Sequence, residues 1–87
     1  MLTAWVLIQT EVGRAGEVAA AVSAIDGVEL AEVTAGPFDI VAKVRARSLD
    51  ELGRLIVSRV QAVPGTMRTL TCPRPSAGRS ARSDGRA

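Results

Sequence analysis

The sequence contains no histidine and no tyrosine among its 87 residues. The commonest general base and a common general acid are therefore missing, so the chain is poorly equipped for catalysis by proton transfer, and no catalytic residue is expected. A single cysteine, Cys72, cannot form an intrachain disulfide, which removes any need for an oxidising compartment. With no histidine to activate it, that thiol reads as inert. Aromatic residues amount to 2% against 47% hydrophobic residues overall, so the core must be assembled from Val, Leu, Ile and Ala. No apolar run approaches the ~18 residues of a membrane span, and Met1-Leu2-Thr3-Ala4-Trp5 lacks the basic start of a signal peptide; the expected location is the cytoplasm. Carboxylates alone would have to bind a metal, and Glu29, Glu32 and Asp39 do not have the spacing of a cation loop. Neither a phosphate-cradling glycine loop nor a dinucleotide fingerprint is present, so no cofactor is expected.

What is present is one domain's worth of chain, with a net charge of +2 that is unevenly placed. Up to Cys72 seven cations face eight anions; beyond it Arg74, Arg79, Arg82 and Arg86 face Asp84 alone. The basic character thus belongs to the end of the chain, and the folded part offers no electrostatic footprint for nucleic acid. From Pro73 the composition falls to Pro, Ser, Gly, Ala and Arg. The expected organisation is a domain over residues 1–72 followed by a disordered basic tail over 73–87.

Residues 3–10 are bulky or β-branched without a breaker, which predicts a central strand. From Arg14 to Ile25, Val18, Val22 and Ile25 fall on one helical face, and Asp26-Gly27 stops the helix. Val28 to Thr34 predicts a second strand, interrupted by Glu29 and Glu32. Ile40 to Ala46 alternates, with Ile40, Ala42, Val44 and Ala46 inward and Lys43 and Arg45 outward. Ser48-Leu49-Asp50-Glu51 is a capping-box pattern that opens a second helix, whose buried face is expected to comprise Leu49, Leu52, Leu55, Ile56, Val60 and Val63. Pro64-Gly65 closes it, and Met67 to Cys72 predicts a last strand.

The order β-α-β-β-α-β, with Gly27 and Gly65 ending equivalent helices, predicts an α+β fold of ferredoxin-like type. Both helices lie on one face of an antiparallel sheet. The other face has no helix to cover it. Trp5 and Leu7 are expected there, so a dimeric sandwich or barrel formed sheet against sheet is the economical way to bury them.

The stretch Val33-Thr34-Ala35-Gly36-Pro37-Phe38-Asp39 is where turn chemistry, an aromatic and a carboxylate fall together. Pro37 fixes its own φ and restricts Gly36, giving a stiff corner between strands with unpaired N–H groups beside Asp39. The plain alternative is a hairpin connection in which Phe38 plugs the core and Asp39 bonds its own turn. Thr69 and Thr71, two apart on the last strand, point the same way and offer two hydroxyls, although as strand formers they are unremarkable.

Taken together, the element order, the helix ends Ile25-Asp26-Gly27-Val28 and Val63-Pro64-Gly65-Thr66, the corner Thr34 to Asp39 and the ending Arg68-Thr69-Leu70-Thr71 resemble the effector-binding (RAM) domain of the Lrp/AsnC transcription regulators, over about residues 2–72. The resemblance implies dimers joined into higher homo-oligomers, with an amino acid or similar small molecule bound between dimers. It assigns Gly36, beside the turn-fixing Pro37, to donate backbone N–H groups to an effector carboxylate. Asp39 would meet the ammonium group, Phe38 would shape the side-chain pocket, and Thr69 and Thr71 would lie close by. Ala35, between Thr34 and Gly36, departs from the family's direct Thr-Gly pair. Regulators of this family also carry a helix-turn-helix domain before the first strand, whereas this sequence starts at that strand. The expectation is a stand-alone form that binds no operator DNA directly and modulates transcription indirectly, through its effector or through full-length relatives. The rival readings are a small cofactor-free monooxygenase or isomerase of dimeric ferredoxin-like fold, with a pocket inside each subunit lined by Trp5 and Arg14, and an assembly partner with no ligand.

Overall fold

The computed structural model describes residues 2–74; Met1 and residues 75–87, including the expected tail beyond Arg74, lie outside the described residues. Strands β1 (Leu2–Thr10), β2 (Val28–Val33), β3 (Ile40–Ala46) and β4 (Thr66–Arg74) form one sheet in the order β2-β3-β1-β4, every neighbouring pair antiparallel. Helix α1 (Ala15–Ser23) follows β1, and α2 (Leu49–Leu55) follows β3 and runs into a π-helical turn, Ile56–Val60. This is the expected ferredoxin-like α+β arrangement.

The sheet separates the side chains by alternation. Ala4, Val6 and Ile8 of β1 and Ile40, Ala42, Val44 and Ala46 of β3 are buried beneath Val18, Ala19 and Val22 of α1 and Leu52, Ile56 and Val60 of the second helical segment. Fully burying aliphatic side chains of this size contributes about 1.5–3 kcal/mol each, which makes this layer the main source of stability. The other sheet face carries Trp5 and Leu7 from β1, Val41, Lys43 and Arg45 from β3, and Leu70 from β4, as the strand register requires. Trp5 is 39% exposed and Leu70 49%.

The two halves repeat a helix-ending device. Gly27 and Gly65 hold φ of 97° and 98°, and each turns the chain from a helix into an edge strand. The Gly27 carbonyl accepts the N–H of Arg45 and the Gly65 carbonyl accepts that of Glu11, both within 2.9 Å. A Cβ on Gly27 would lie 2.9 Å from Leu55 of the second helix, and a Cβ on Gly65 would lie 2.9 Å from Val18 of the first. Each half therefore packs its turn against the other half's helix. Only glycine meets both the conformation and the space.

Several local expectations change. The helices are shorter than their sequence patterns, because Ile25 and Val63 lie past the helix ends in the turns that lead to Gly27 and Gly65, half-buried against the core. Leu49 is not on the buried face of α2; it is 63% exposed, since it is the first helical residue and points away from the Leu52–Ile56–Val60 line. Ser48 caps as expected, its Oγ accepting the N–H of Glu51 at 3.1 Å, but Glu51 reaches back to the N–H of Arg47 and not to that of Ser48. Strand β4 extends through Arg74, two residues past Cys72, because Thr3 and Ala4 of β1 still offer it a partner. A bulge at Glu29 interrupts the register of β2 between Val28 and Leu30. That places Glu29 within ion-pair reach of Lys43, at 3.6 Å, and Arg45, at 3.0 Å.

Candidate functional site

The corner between β2 and β3 is built by closing a short loop on itself. The N–H of Thr34 donates to the carbonyl of Asp39 at 2.8 Å, and the Thr34 hydroxyl donates to the carbonyl of Phe38 at 2.9 Å. These bonds fasten the loop base and leave Ala35, Gly36 and Pro37 as an exposed tip. Gly36 has φ of 159°, close to extended, and open space where a Cβ would project. It is the tip's accessibility, more than a left-handed turn, that distinguishes this glycine. Among the described residues, the backbone N–H groups of Ala35, Gly36 and Phe38 have no hydrogen-bond partner.

Asp39 ties this loop to the central strand. Its N–H donates to the carbonyl of Ile8 at 2.8 Å, and its Oδ2 accepts the N–H of Thr10 at 2.8 Å. The β1–β4 register shifts between Gln9 and Thr10, so the end of β1 is free to be capped by a side chain from across the sheet. One carboxylate oxygen is thus used structurally; the other, Oδ1, has no partner among the described residues. Gln9 adds a long contact, its Nε2 donating to the Pro37 carbonyl at 3.5 Å. Phe38 is half-buried at the loop base. The corner therefore carries unpaired backbone donors at Ala35, Gly36 and Phe38 and, at its base, a carboxylate with one oxygen engaged and one unpaired, groups able to bond an anion and a cation respectively.

Thr69 and Thr71 are placed differently. They pair with Ile8 and Val6 on the helix-facing side of β4, and β1 separates that strand from β3. Within one subunit this puts them two strands from the corner, roughly 9–10 Å by the spacing of strands. The Thr69 hydroxyl accepts from Gln61 Nε2 at 2.9 Å. The structure therefore brings Gly36, Pro37, Phe38 and Asp39 together, and it brings Thr69 and Thr71 together, without joining the two groups inside one chain. Thr10 and Gln9 are participants that sequence reasoning did not single out, and Thr34, named there as part of the corner, turns out to fasten the loop base. Thr10 contributes through its backbone, which no side-chain pattern reveals.

The residues of the enzyme reading do not meet. Trp5 lies on the open sheet face, with Lys43 Nζ 5.7 Å from its ring centroid. Arg14 sits before the first helix, paired with Glu11 and Glu17.

The Lrp/AsnC ligand-binding domain model matches residues 3–73, nearly the whole described fold. The chain belongs to the Lrp/AsnC family. An uncharacterized HTH-type transcriptional regulator of Pyrococcus furiosus is 34% identical over 55 residues, covering 63% of this chain and 37% of that protein. The chain thus spans little more than a third of the curated relatives it matches. Among solved structures, a Thermus thermophilus protein superposes with a TM-score of 0.84 at 29% identity, covering 92% of this chain and 100% of that one. The feast or famine regulatory protein of M. tuberculosis, complexed with L-methionine, superposes with a TM-score of 0.75 at 25% identity, covering 94% of this chain and 55% of that one. The relatives named here are regulators and not enzymes where their names state an activity. Among the described residues no helix is long and apolar enough to cross a membrane.

Proposed function

We propose that this Lrp/AsnC ligand-binding domain binds a free amino acid or a closely similar zwitterion at the Thr34–Asp39 corner, on an interface between subunits, and modulates transcription through its state of assembly. The observation that carries this reading is the pairing of unpartnered N–H groups at Ala35, Gly36 and Phe38 with the unpaired Oδ1 of Asp39. An α-carboxylate accepts from the first group; an α-ammonium donates to the second. The tip is exposed within one subunit, so a second subunit supplies the wall that takes the effector away from water. Thr69 and Thr71 belong to the effector site in this reading only as a contribution from such a neighbour. The L-methionine held by the M. tuberculosis relative supports the ligand class.

The apolar open face supports a homodimer paired sheet against sheet, with effector binding between dimers favouring whichever assembly forms that contact. No side chain of this domain is assigned to reading DNA; its influence passes through homo-oligomers and through full-length Lrp/AsnC relatives that share the interface. Native mass spectrometry of the protein, alone and with a panel of free amino acids, tests the proposal. A retained amino-acid mass, or an oligomer distribution that changes with one class of amino acid, is expected. A distribution indifferent to every amino acid, with no mass retained, would overturn it.

A further inference from the structure

One end of the open sheet face carries a cation that nothing on its own strands can neutralise. Arg68 of β4 lies opposite Gln9 of β1, so the two side chains leave the sheet together, on the side away from the buried Ile8. Arg68 is exposed and takes part in no ion pair among the described residues. Neither β1 nor β4 contains a carboxylate. Glu11, the first acid after β1, is held by Arg14, and Glu29 is held by Lys43 and Arg45. Glu32 lies on β2, the far edge of the sheet from β4.

Gln9 connects this cation to the Thr34–Asp39 corner. Its amide donates to the Pro37 carbonyl at 3.5 Å, and the next residue, Thr10, gives its N–H to Asp39 Oδ2 at 2.8 Å. The corner, Gln9 and Arg68 thus stand side by side at one end of β3, β1 and β4, with the corner and Arg68 two strand spacings, roughly 10 Å, apart at the backbone. Asp39 and Arg68 carry opposite charges and do not bridge each other, because Gln9 stands between them. A small molecule charged at both ends fits that interval once the long arginine side chain turns toward the corner.

We propose, building on the amino-acid reading above, that Arg68 binds a second carboxylate and that the effector is a dicarboxylic amino acid of the aspartate or glutamate class. Its α-carboxylate takes the loop N–H groups and its ammonium group takes Asp39 Oδ1. Its side-chain carboxylate then runs past Gln9 to the Arg68 guanidinium, whose planar fork pairs with it through two charge-assisted hydrogen bonds. A neutral amino acid leaves Arg68 without a partner, and a basic one brings a second cation beside it. Arg68 is therefore the residue that sets the effector class. Although next to Thr69 in sequence, it projects from the opposite side of β4, so this role is separate from that of the two threonines.

Calorimetric titration of the full chain with L-glutamate, L-glutamine, L-aspartate, L-asparagine, L-methionine and L-lysine tests the proposal. Each acid and its amide have nearly the same shape and differ by one charge. At least one acid is expected to bind tenfold or more tighter than its amide, with L-lysine weakest. Arg68→Gln should abolish that preference by weakening the acid alone, with thermal denaturation and sedimentation matching the parent chain. Arg68→Lys keeps the charge without the fork and should retain the preference in part. Asp39→Asn, by contrast, should weaken acid and amide alike. A parent chain that prefers L-methionine or the amides to both acids would overturn the role of Arg68 while leaving the amino-acid site standing. So would an acid preference that survives Arg68→Gln, or an Arg68→Gln variant altered only in sedimentation, which would assign the guanidinium to a contact between subunits. Binding of no amino acid would overturn both readings.

Discussion

The carboxylate of Asp39 accepts the backbone N–H of Thr10 at 2.8 Å, across the sheet from one end of β3 to the end of β1. This makes Asp39 both a structural cap and, in the proposed function, the ammonium partner, and the two roles separate by substitution. Asp39→Ala leaves the part-buried Thr10 N–H without its partner, a loss of about 1–3 kcal/mol, along with the ligand charge. Asp39→Asn retains an acceptor for Thr10 and loses only the charge. The expected outcome is that both variants lose effector affinity by at least tenfold, while only Asp39→Ala shows a clear fall in urea-denaturation stability. Calorimetric titration with the amino acid identified by mass spectrometry reads the first effect. Undiminished binding by Asp39→Asn would remove the residue from the site.

Glycines at different places in this chain respond in opposite directions to the same methyl group. At Gly27 and Gly65 the backbone has φ near +97°, and an added Cβ runs into Leu55 or Val18 at 2.9 Å. Gly27 also faces the carbonyl oxygen of Arg45 at 3.2 Å, which cannot move aside as the end of a leucine can. Alanine at either position is expected to destabilise by about 1–3 kcal/mol. Gly53→Ala, in a helix with open space around it, is expected to stabilise the subunit by about 0.5–1 kcal/mol. Thermal or urea denaturation of the three variants checks the contrast, with the oligomeric state of each recorded alongside.

Much of this architecture was legible in the sequence because it rests on period and punctuation. The strict alternation from Ile40 to Ala46 fixed which side of β3 faces the helices, and Gly27 and Gly65 marked the ends of equivalent helical units. The corner at Thr34 to Asp39 was also legible as a place, since glycine, proline, an aromatic and a carboxylate coincide there. Its wiring was not. The bond from Thr10 to Asp39 spans 29 positions and uses a backbone donor, so no local pattern encodes it. Periodicity counts Leu49 toward the core like any other leucine, although at the first position of α2 it stays 63% exposed. The placement of Thr69 and Thr71 depended on strand order and register. Their alternation gives them a shared side, but not their distance from the corner.

Thr66 carries a buried hydroxyl with no hydrogen-bond partner among the described residues. It pairs with Thr10 at the irregular end of the β1–β4 ladder, one position after the positive-φ turn at Gly65. Burying an unpaired hydroxyl is unfavourable, and valine has nearly the same shape with no polar atom to desolvate. Thr66→Val is expected to raise stability by about 1 kcal/mol, measured as a higher urea midpoint with an unchanged slope. A fall in stability would mean that the hydroxyl has a partner in solution, an ordered water being the simplest.

Leu70 provides the most direct test of the open sheet face. It lies opposite Leu7 on the neighbouring strand, with Trp5 and Cys72 forming the next pair on that face, and it is 49% exposed in the single subunit. A charge at such a position costs the isolated subunit little, because the side chain keeps its access to water. Inside a sheet-against-sheet interface the same charge is desolvated without a partner, and association fails. Leu70→Glu is therefore expected to weaken sheet pairing at least tenfold while leaving subunit folding intact. The only tryptophan of the chain reports the event, since Trp5 is 39% exposed alone and would be covered by a facing sheet. Its emission should shift to longer wavelength on dilution of the native protein and stand already shifted in Leu70→Glu at every concentration. Identical emission from the two proteins, with identical sedimentation, would mean that this face stays open to solvent.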